Sequence, residues 1–122
     1  MAKKLRKKTS TVELIRMLKA KSRETKQKFW RDLAERLQRP RRIMPAVNIE
    51  KIEKLASKHG DKLFIVPGKL LGKGKLSKAV RVAAFSFSKK AKEQIESNKG
   101  KLYTLKELLD MKVKGSDVFI VQ

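Results

Sequence analysis

Apolar positions along this chain change their spacing several times, and each change marks an element. From Leu14 to Leu37 they recur every three or four residues, the helical period. Ser10-Thr11-Val12-Glu13 matches a capping box, with Ser10 as N-cap and Glu13 at N3, so a first helix is expected from there. On it Leu14, Met17 and Leu18 share one face with Ile15 at its flank, and Arg16, Lys19 and Arg23 lie opposite. A second helix is expected from about Thr25 to Gln38, with Phe29, Trp30, Leu33, Ala34 and Leu37 as its stripe and Lys28, Arg31 and Arg39 opposite. Glu24–Lys28, Asp32–Arg36 and Glu35–Arg39 are i, i+4 pairs with the acid N-terminal, the better orientation, so these acids steady the helix. Trp30 falls on the apolar stripe, which favours burial over stacking on a base.

The pattern stops at Gln38-Arg39-Pro40-Arg41-Arg42-Ile43-Met44-Pro45, where two prolines favour an extended connector. Asn48 then caps a third helix with Ile49, Ile52, Leu55 and Ala56 inward and Gly60 past its end. Leu63–Val66 is a continuous apolar run, read as a buried strand, and a Gly/Lys-rich loop follows. Ala79–Phe87 is a second strand region. Ser88 caps a helix from about Lys89 to Asn98, closed by Gly100. Leu102-Tyr103 is a short strand, Thr104-Leu105-Lys106-Glu107 a second capping box opening a helix to about Met111, and Val118–Val121 a last strand. Strands alternating with helices give an α/β class.

Charge divides this picture in two. The 122 residues carry 33 Lys+Arg against 12 Asp+Glu, a formal +21, with 40% hydrophobic residues, fitting one modest domain with an extension. Residues 1–42 alone hold a net +12 and residues 67–82 a net +5. The expected organisation is a basic arm, 1–47, with two helices and the Pro/Arg connector, and a compact α/β core, 48–122. Such a charge calls for an anionic partner, nucleic acid before a membrane surface. No stretch approaches the ~20 apolar residues of a membrane span, and the basic start MAKKLRKKTS has no apolar run behind it for a signal peptide. The chain has no cysteine, which excludes disulfides and thiolate zinc sites. A soluble intracellular protein is expected.

The stretch Val66-Pro67-Gly68-Lys69-Leu70-Leu71-Gly72-Lys73-Gly74-Lys75-Leu76-Ser77-Lys78 invites a nucleotide-loop reading and fails it. Gly68 and Gly72 are separated by three residues and Leu76 precedes Ser77, against the G-x-x-x-x-G-K-[ST] pattern. Gly72-Lys73-Gly74 is followed by Ser77 where a dinucleotide fingerprint needs its third glycine. As a backbone-phosphate site the loop makes sense: glycines let main-chain N–H groups approach an anion, and Lys69, Lys73, Lys75 and Lys78 add point charges. The bland alternative is a solvated hairpin connection. His59 is the only histidine and sits at a helix end, where it meets the dipole or solvent. No catalytic constellation, metal cluster or cofactor motif is visible, so no enzyme and no small-molecule substrate are expected.

Five segments carry a resemblance: ETKQKFWRDLAERLQRPRR (24–42), VNIEKIEKLA (47–56), LFIVPGKLLGKGKLSK (63–78), VRVAAFSFSKKAKEQI (80–95) and GSDVFIVQ (115–122). In this order they resemble the ribosomal protein L-eighteen-e family, in its short archaeal form, with Ser86 standing where the family pattern has glycine. The resemblance implies a structural, non-enzymatic constituent of the large ribosomal subunit in the cytoplasm. It implies large-subunit ribosomal RNA and neighbouring ribosomal proteins as partners. It also implies an irregular β-β-α superhelical core, shared with bacterial ribosomal protein L-fifteen, behind the basic helical N-terminal extension.

The residues expected to contact RNA phosphates are Lys7, Lys8, Arg16, Arg23, Arg31, Arg39, Arg41, Arg42, Lys69, Lys73, Lys75 and Arg81. On chemistry alone a DNA-binding chromatin protein is the alternative. The first two helices could pass for a helix-turn-helix, but their connector lacks a glycine turn and no base-reading set of side chains is seen.

Overall fold

A computed structural model of the chain describes residues 9–38, 46–59, 62–111, 113 and 115–121. The chain forms two compact units, Met1–Met44 and Pro45–Gln122.

The first unit is a helical hairpin of α1 (Thr9–Thr25) and α2 (Lys28–Leu37). Ser10 already lies inside α1, so it is not the N-cap; Glu13 instead meets Arg16 at 3.9 Å. The buried face of α1 is Thr11, Ile15 and Leu18, spaced i, i+4, i+7. Of the expected face, Leu18 is buried and Leu14 half-buried, while Met17 is turned outward, 38% exposed. Packing chose the i, i+4, i+7 row, at the cost of exposing a flexible methionine that tolerates water along one side.

The helix boundary also moves. Thr25 ends α1 rather than opening α2, because Lys26 takes the left-handed φ of 59° and donates its N–H to Ser22 O at 2.8 Å, an αL C-cap made without glycine. Ser22 Oγ donates to Gln27 O at 3.0 Å and ties the turn down. On α2 four of the five expected stripe residues, Trp30, Leu33, Ala34 and Leu37, are buried and Phe29 is half-buried; Trp30 Nε1 donates to Gln27 Oε1 at 3.0 Å. Glu24 and Lys28 now lie on different helices, so their i, i+4 pairing lapses.

The second unit is a five-stranded, all-parallel sheet with three helices: β1 (Ala46–Asn48), α3 (Ile49–His59), β2 (Leu63–Leu71), β3 (Arg81–Phe87), α4 (Lys89–Ser97), β4 (Lys101–Thr104), α5 (Leu105–Leu109) and β5 (Val118–Ile120). β2 is central. β3 lies on one side of it, with β4 beyond; on the other side β5 pairs with its first half and β1 with its second. Leu63–Val66 are fully buried, as a parallel strand covered on both faces requires. Phe64, Val66, Val82 and Ala84 face a core completed by Ile49, Ile52 and Ala56 of α3 and Ala91 and Ile95 of α4. Leu63, Ile65 and Ala83 alternate to the other face, where α5 packs on β3 and β4.

Two sequence expectations change here. β2 does not stop at Val66; it runs on to Leu71, so Lys69 is a strand residue and not a loop residue. The strand tolerates Pro67 because its register with β3 shifts by one residue between Val66 and Lys69, a bulge that removes the need for a proline N–H. β1 was invisible as a three-residue strand. The capping assignments hold at Ser88, whose Oγ accepts from Ala91 N at 3.2 Å, and at Thr104–Glu107, a reciprocal box at 3.1 and 3.0 Å. Gly100 is not the left-handed closer of α4: Lys99 is, at φ 62°. Gly60 lies outside the described residues.

Candidate nucleic-acid interface

The link from β2 to β3 positions the lysines. Two adjacent parallel strands need a crossover, usually a helix of a dozen residues or more. Here only Gly72 to Val80 make the return, with Leu63 level with Arg81. The return covers about the length of β2, ~26 Å at ~3.3 Å per residue, and the chain from Leu71 to Arg81 reaches at most ~35 Å. The segment therefore runs nearly straight. It is neither a hairpin connection nor a slack loop.

It descends along α3 and α4 together, pinned at each step. Gly72 lies against α4, where a Cβ would meet Lys90 Cβ at 2.7 Å and Ala91 N at 2.9 Å. Lys73 O accepts from Glu50 N at 3.1 Å. Gly74 takes φ 102° and a Cβ there would lie 2.5 Å from Glu50 Cβ, so both conformation and space require glycine. Gln94 Nε2 donates to the Gly72 and Gly74 carbonyls while its Oε1 accepts from Leu76 N. Leu76 is buried as an apolar plug. Glu53 Oε2 accepts from both Ser77 N and Ser77 Oγ at 2.7 Å, and Lys78 Nζ donates to Ser57 Oγ at 2.9 Å.

This corrects the idea of a main-chain anion cradle. The glycines serve close packing and a left-handed turn, and the N–H groups of Leu76 and Ser77 are taken by Gln94 and Glu53. Anion binding falls to side chains. Lys73 and Lys75 are exposed on this fixed ridge, Lys69 is exposed on β2, and among the described residues none of the three makes an ion pair. Glu53 and Gln94 were not singled out from the sequence. Each is bonded to a segment about twenty residues away, and no local pattern signals that.

In the hairpin unit the turn leaves a groove of about 760 Å³, lined by Lys19, Arg23, Lys26, Lys28 and Arg31 with one acid, Glu35, and by Ser22, Gln27 and Gln38. Arg23 and Arg31 thus share one surface. Arg16 is exposed elsewhere on α1 beside Glu13. Arg31 pairs with Glu35 at 3.3 Å, the acid that the sequence assigned to Arg39. Asp32–Arg36 forms as expected at 3.2 Å. Exposed pairs of this kind hold their partners weakly, so the Arg31 guanidinium is exchangeable. The turn also removes one argument against a helix-turn-helix, since Lys26 replaces the missing glycine. Arg81 is exposed at the start of β3. Lys7, Lys8, Arg39, Arg41 and Arg42 lie outside the described residues.

His59 ends α3 and its ring stacks on Phe119, centroids 4.8 Å apart. Among the described residues no group of three or more His, Cys, Asp or Glu could hold a metal, and no helix is long and apolar enough to cross a membrane.

A family model described as ribosomal protein 60S L18 and 50S L18e matches residues 2–122. Among curated proteins the chain is similar to large ribosomal subunit protein eL18 of Methanoregula boonei, 44% identical over 109 residues covering 89% of this chain and 88% of that protein. The same-named protein of Methanococcus maripaludis is 45% identical over 111 residues, 91% of each. That of Archaeoglobus fulgidus is 43% identical over 107 residues, 88% of this chain and 90% of its own.

Proposed function

The chain belongs to the family of ribosomal proteins 60S L18 and 50S L18e, and on that premise we propose that it helps fold large-subunit ribosomal RNA by neutralising phosphates where RNA segments approach one another. It is a structural, non-enzymatic ribosomal protein, at work in the cytoplasm within the large subunit. The observation that carries the RNA-contact reading is the orientation of Glu53. Glu53, the carboxylate hydrogen-bonded to the crossover, is held by Ser77 and, among the described residues, forms no ion pair with its lysines. A fixed ridge with uncompensated Lys73 and Lys75 suits an anion that arrives from outside.

The contacts proposed are Arg16, Arg23 and Arg31 on the hairpin, Lys69, Lys73, Lys75 and Arg81 on the sheet unit, and Lys7, Lys8, Arg39, Arg41 and Arg42 of the arm. The division into a basic arm, 1–47, and a core, 48–122, is on this reading functional: the arm reaches RNA and the core anchors. The core would be the β-β-α superhelical arrangement shared with bacterial ribosomal protein L-fifteen. Neighbouring ribosomal proteins complete the environment.

Sedimentation of the endogenous protein from lysate, before and after a high-salt wash, tests the role. Stable migration with the large subunit is expected. Migration with chromatin, or loss at salt that leaves other ribosomal proteins bound, overturns it. For the isolated protein, ~6–10 phosphate contacts weaken RNA binding by ~10³–10⁵ between 50 and 200 mM salt, by analogy with duplex DNA. Reversal of Arg41 and Arg42 to Glu is expected to impair incorporation with the sheet still folded; unchanged incorporation removes the connector from the contact set.

A further inference from the structure

The end of the sheet at which β3 and β4 begin carries a cleft of about 580 Å³ bounded by Val80, Arg81, Lys99, Gly100, Lys101 and Tyr103, with Ala79 at its edge. Its walls are set by the backbone. α4 closes in a Schellman pattern: Lys99, at φ 62°, donates its N–H to Glu96 O at 3.1 Å, and Gly100 donates to Ile95 O at 2.9 Å. Lys101 N then donates to Val80 O at 2.9 Å. A Cβ on Gly100 would fall 2.5 Å from that carbonyl oxygen, so the two walls meet this closely only at glycine. The parallel register sets Arg81 beside Lys101 and Ala83 beside Tyr103. Alternate strand residues share a face, which places Arg81, Lys101 and Tyr103 on one side of the sheet. Tyr103 shares with Ala83 the face on which α5 packs; the Ala83 methyl is too small to cover a phenol ring by itself, and Tyr103 is half-buried rather than sealed in. β4 is also the end strand of the sheet. Arg81, Lys99 and Lys101 are exposed, and none of the described residues that line the cleft is acidic.

We infer that this cleft takes a single unpaired nucleotide of an RNA strand, with its base on Tyr103 and its phosphate among Arg81, Lys99 and Lys101. The volume is that of a small-molecule site, ~300–1,000 Å³. An aromatic wall beside cations is the arrangement that holds splayed bases, because every base offers a π face. A duplex keeps its bases stacked and cannot offer one. The inference rests on the RNA-binding reading and goes beyond it, since the sequence points mainly to contact with backbone and RNA shape.

Tyr103 is the only tyrosine, so ring-labelled protein gives one assignable set of ring signals. The full chain is titrated with a single-stranded RNA tetranucleotide and, separately, with duplex RNA of the same composition. Saturable upfield shifts of the ring protons are expected with the single strand and none with the duplex. Tyr103→Phe is expected to bind within about twofold of the parent, and Tyr103→Leu about 5- to 150-fold more weakly. No ring shift, equal shifts with duplex, or unchanged binding by Tyr103→Leu overturns the inference and leaves only phosphate contact. If Tyr103→Leu does not fold, the titration of the parent protein decides. A protein that co-sediments with large subunits while its ring stays unshifted keeps the ribosomal role and loses the nucleotide. One that does not co-sediment loses the ribosomal role.

Discussion

In the hairpin, Arg31 lies one helical turn from Glu35 and pairs with it at 3.3 Å, with Arg23 and Lys26 across a groove. In the crossover, Lys73 and Lys75 flank a glycine at φ 102°, and the Glu53 carboxylate is bonded to Ser77. Both regions present cations. The hairpin does so through helical periodicity and dilutes its charge with acids on the same helices. The crossover does so through tertiary anchoring, and among the described residues its lysines form no ion pair. The hairpin's cations can therefore re-pair as an anion arrives, whereas the crossover's are set in place by folding. Electrostatic preorganisation of this second kind loses less entropy on binding.

The largest expected break in the comparison is Leu33→Ala. Leu33 is fully buried in α2, and the loss of a buried leucine costs ~2–5 kcal/mol. The hairpin transition, followed by the fluorescence of the single tryptophan, Trp30, is expected at much lower urea. Amide exchange at Leu76 and Ser77 should keep its parental protection, because their partners, Gln94 and Glu53, belong to the sheet unit. Loss of protection at Ser77 in this variant would mean that the two basic regions are not held separately.

Gly74→Ala attacks the crossover. A left-handed φ and a Cβ placed 2.5 Å from Glu50 Cβ together cost ~1–3 kcal/mol. The expected readout is a lower urea midpoint of the sheet unit with an unchanged slope, and faster exchange from Leu76 to Ser77. Glu53→Ala is a milder version. It removes two charge-assisted bonds to Ser77, but Glu53 Oε1 is buried without a protein partner, so its removal also relieves desolvation. A net ~1 kcal/mol is expected, with weaker RNA binding as Lys73 and Lys75 lose their fixed spacing. Equal RNA affinity in Glu53→Ala would show that preorganisation contributes nothing.

The same contrast explains what the sequence made legible. The α2 stripe, the Ser88 cap and the Thr104–Glu107 box are local: every partner lies within four residues, so spacing alone reveals them. The α1–α2 boundary was misplaced because Lys26 adopts a conformation that composition assigns to glycine. β2 was cut at Val66 because Pro67-Gly68 reads as a turn until a neighbouring strand shows that it is a bulge. The lysines of the crossover were visible as a charge cluster. Their anchors were not, since Glu53 and Gln94 look like ordinary exposed helix residues until β2 and β3 prove parallel and the connection has to run straight between α3 and α4.

Glu35→Gln is the finest test. Both members of the Arg31–Glu35 pair are mostly exposed, so the pair contributes ~0–0.5 kcal/mol to stability and the urea midpoint should barely move. The groove, however, loses its one acid and gains a unit of net positive charge. RNA affinity at low salt is expected to rise by up to ~5-fold, with the gain fading as salt screens the groove. In the crossover Glu53 forms no ion pair with a lysine among the described residues, so Glu53→Gln should not raise affinity. A rise in both variants would reduce the comparison to net charge alone. A rise in Glu35→Gln only would place the difference in how each region holds its acid.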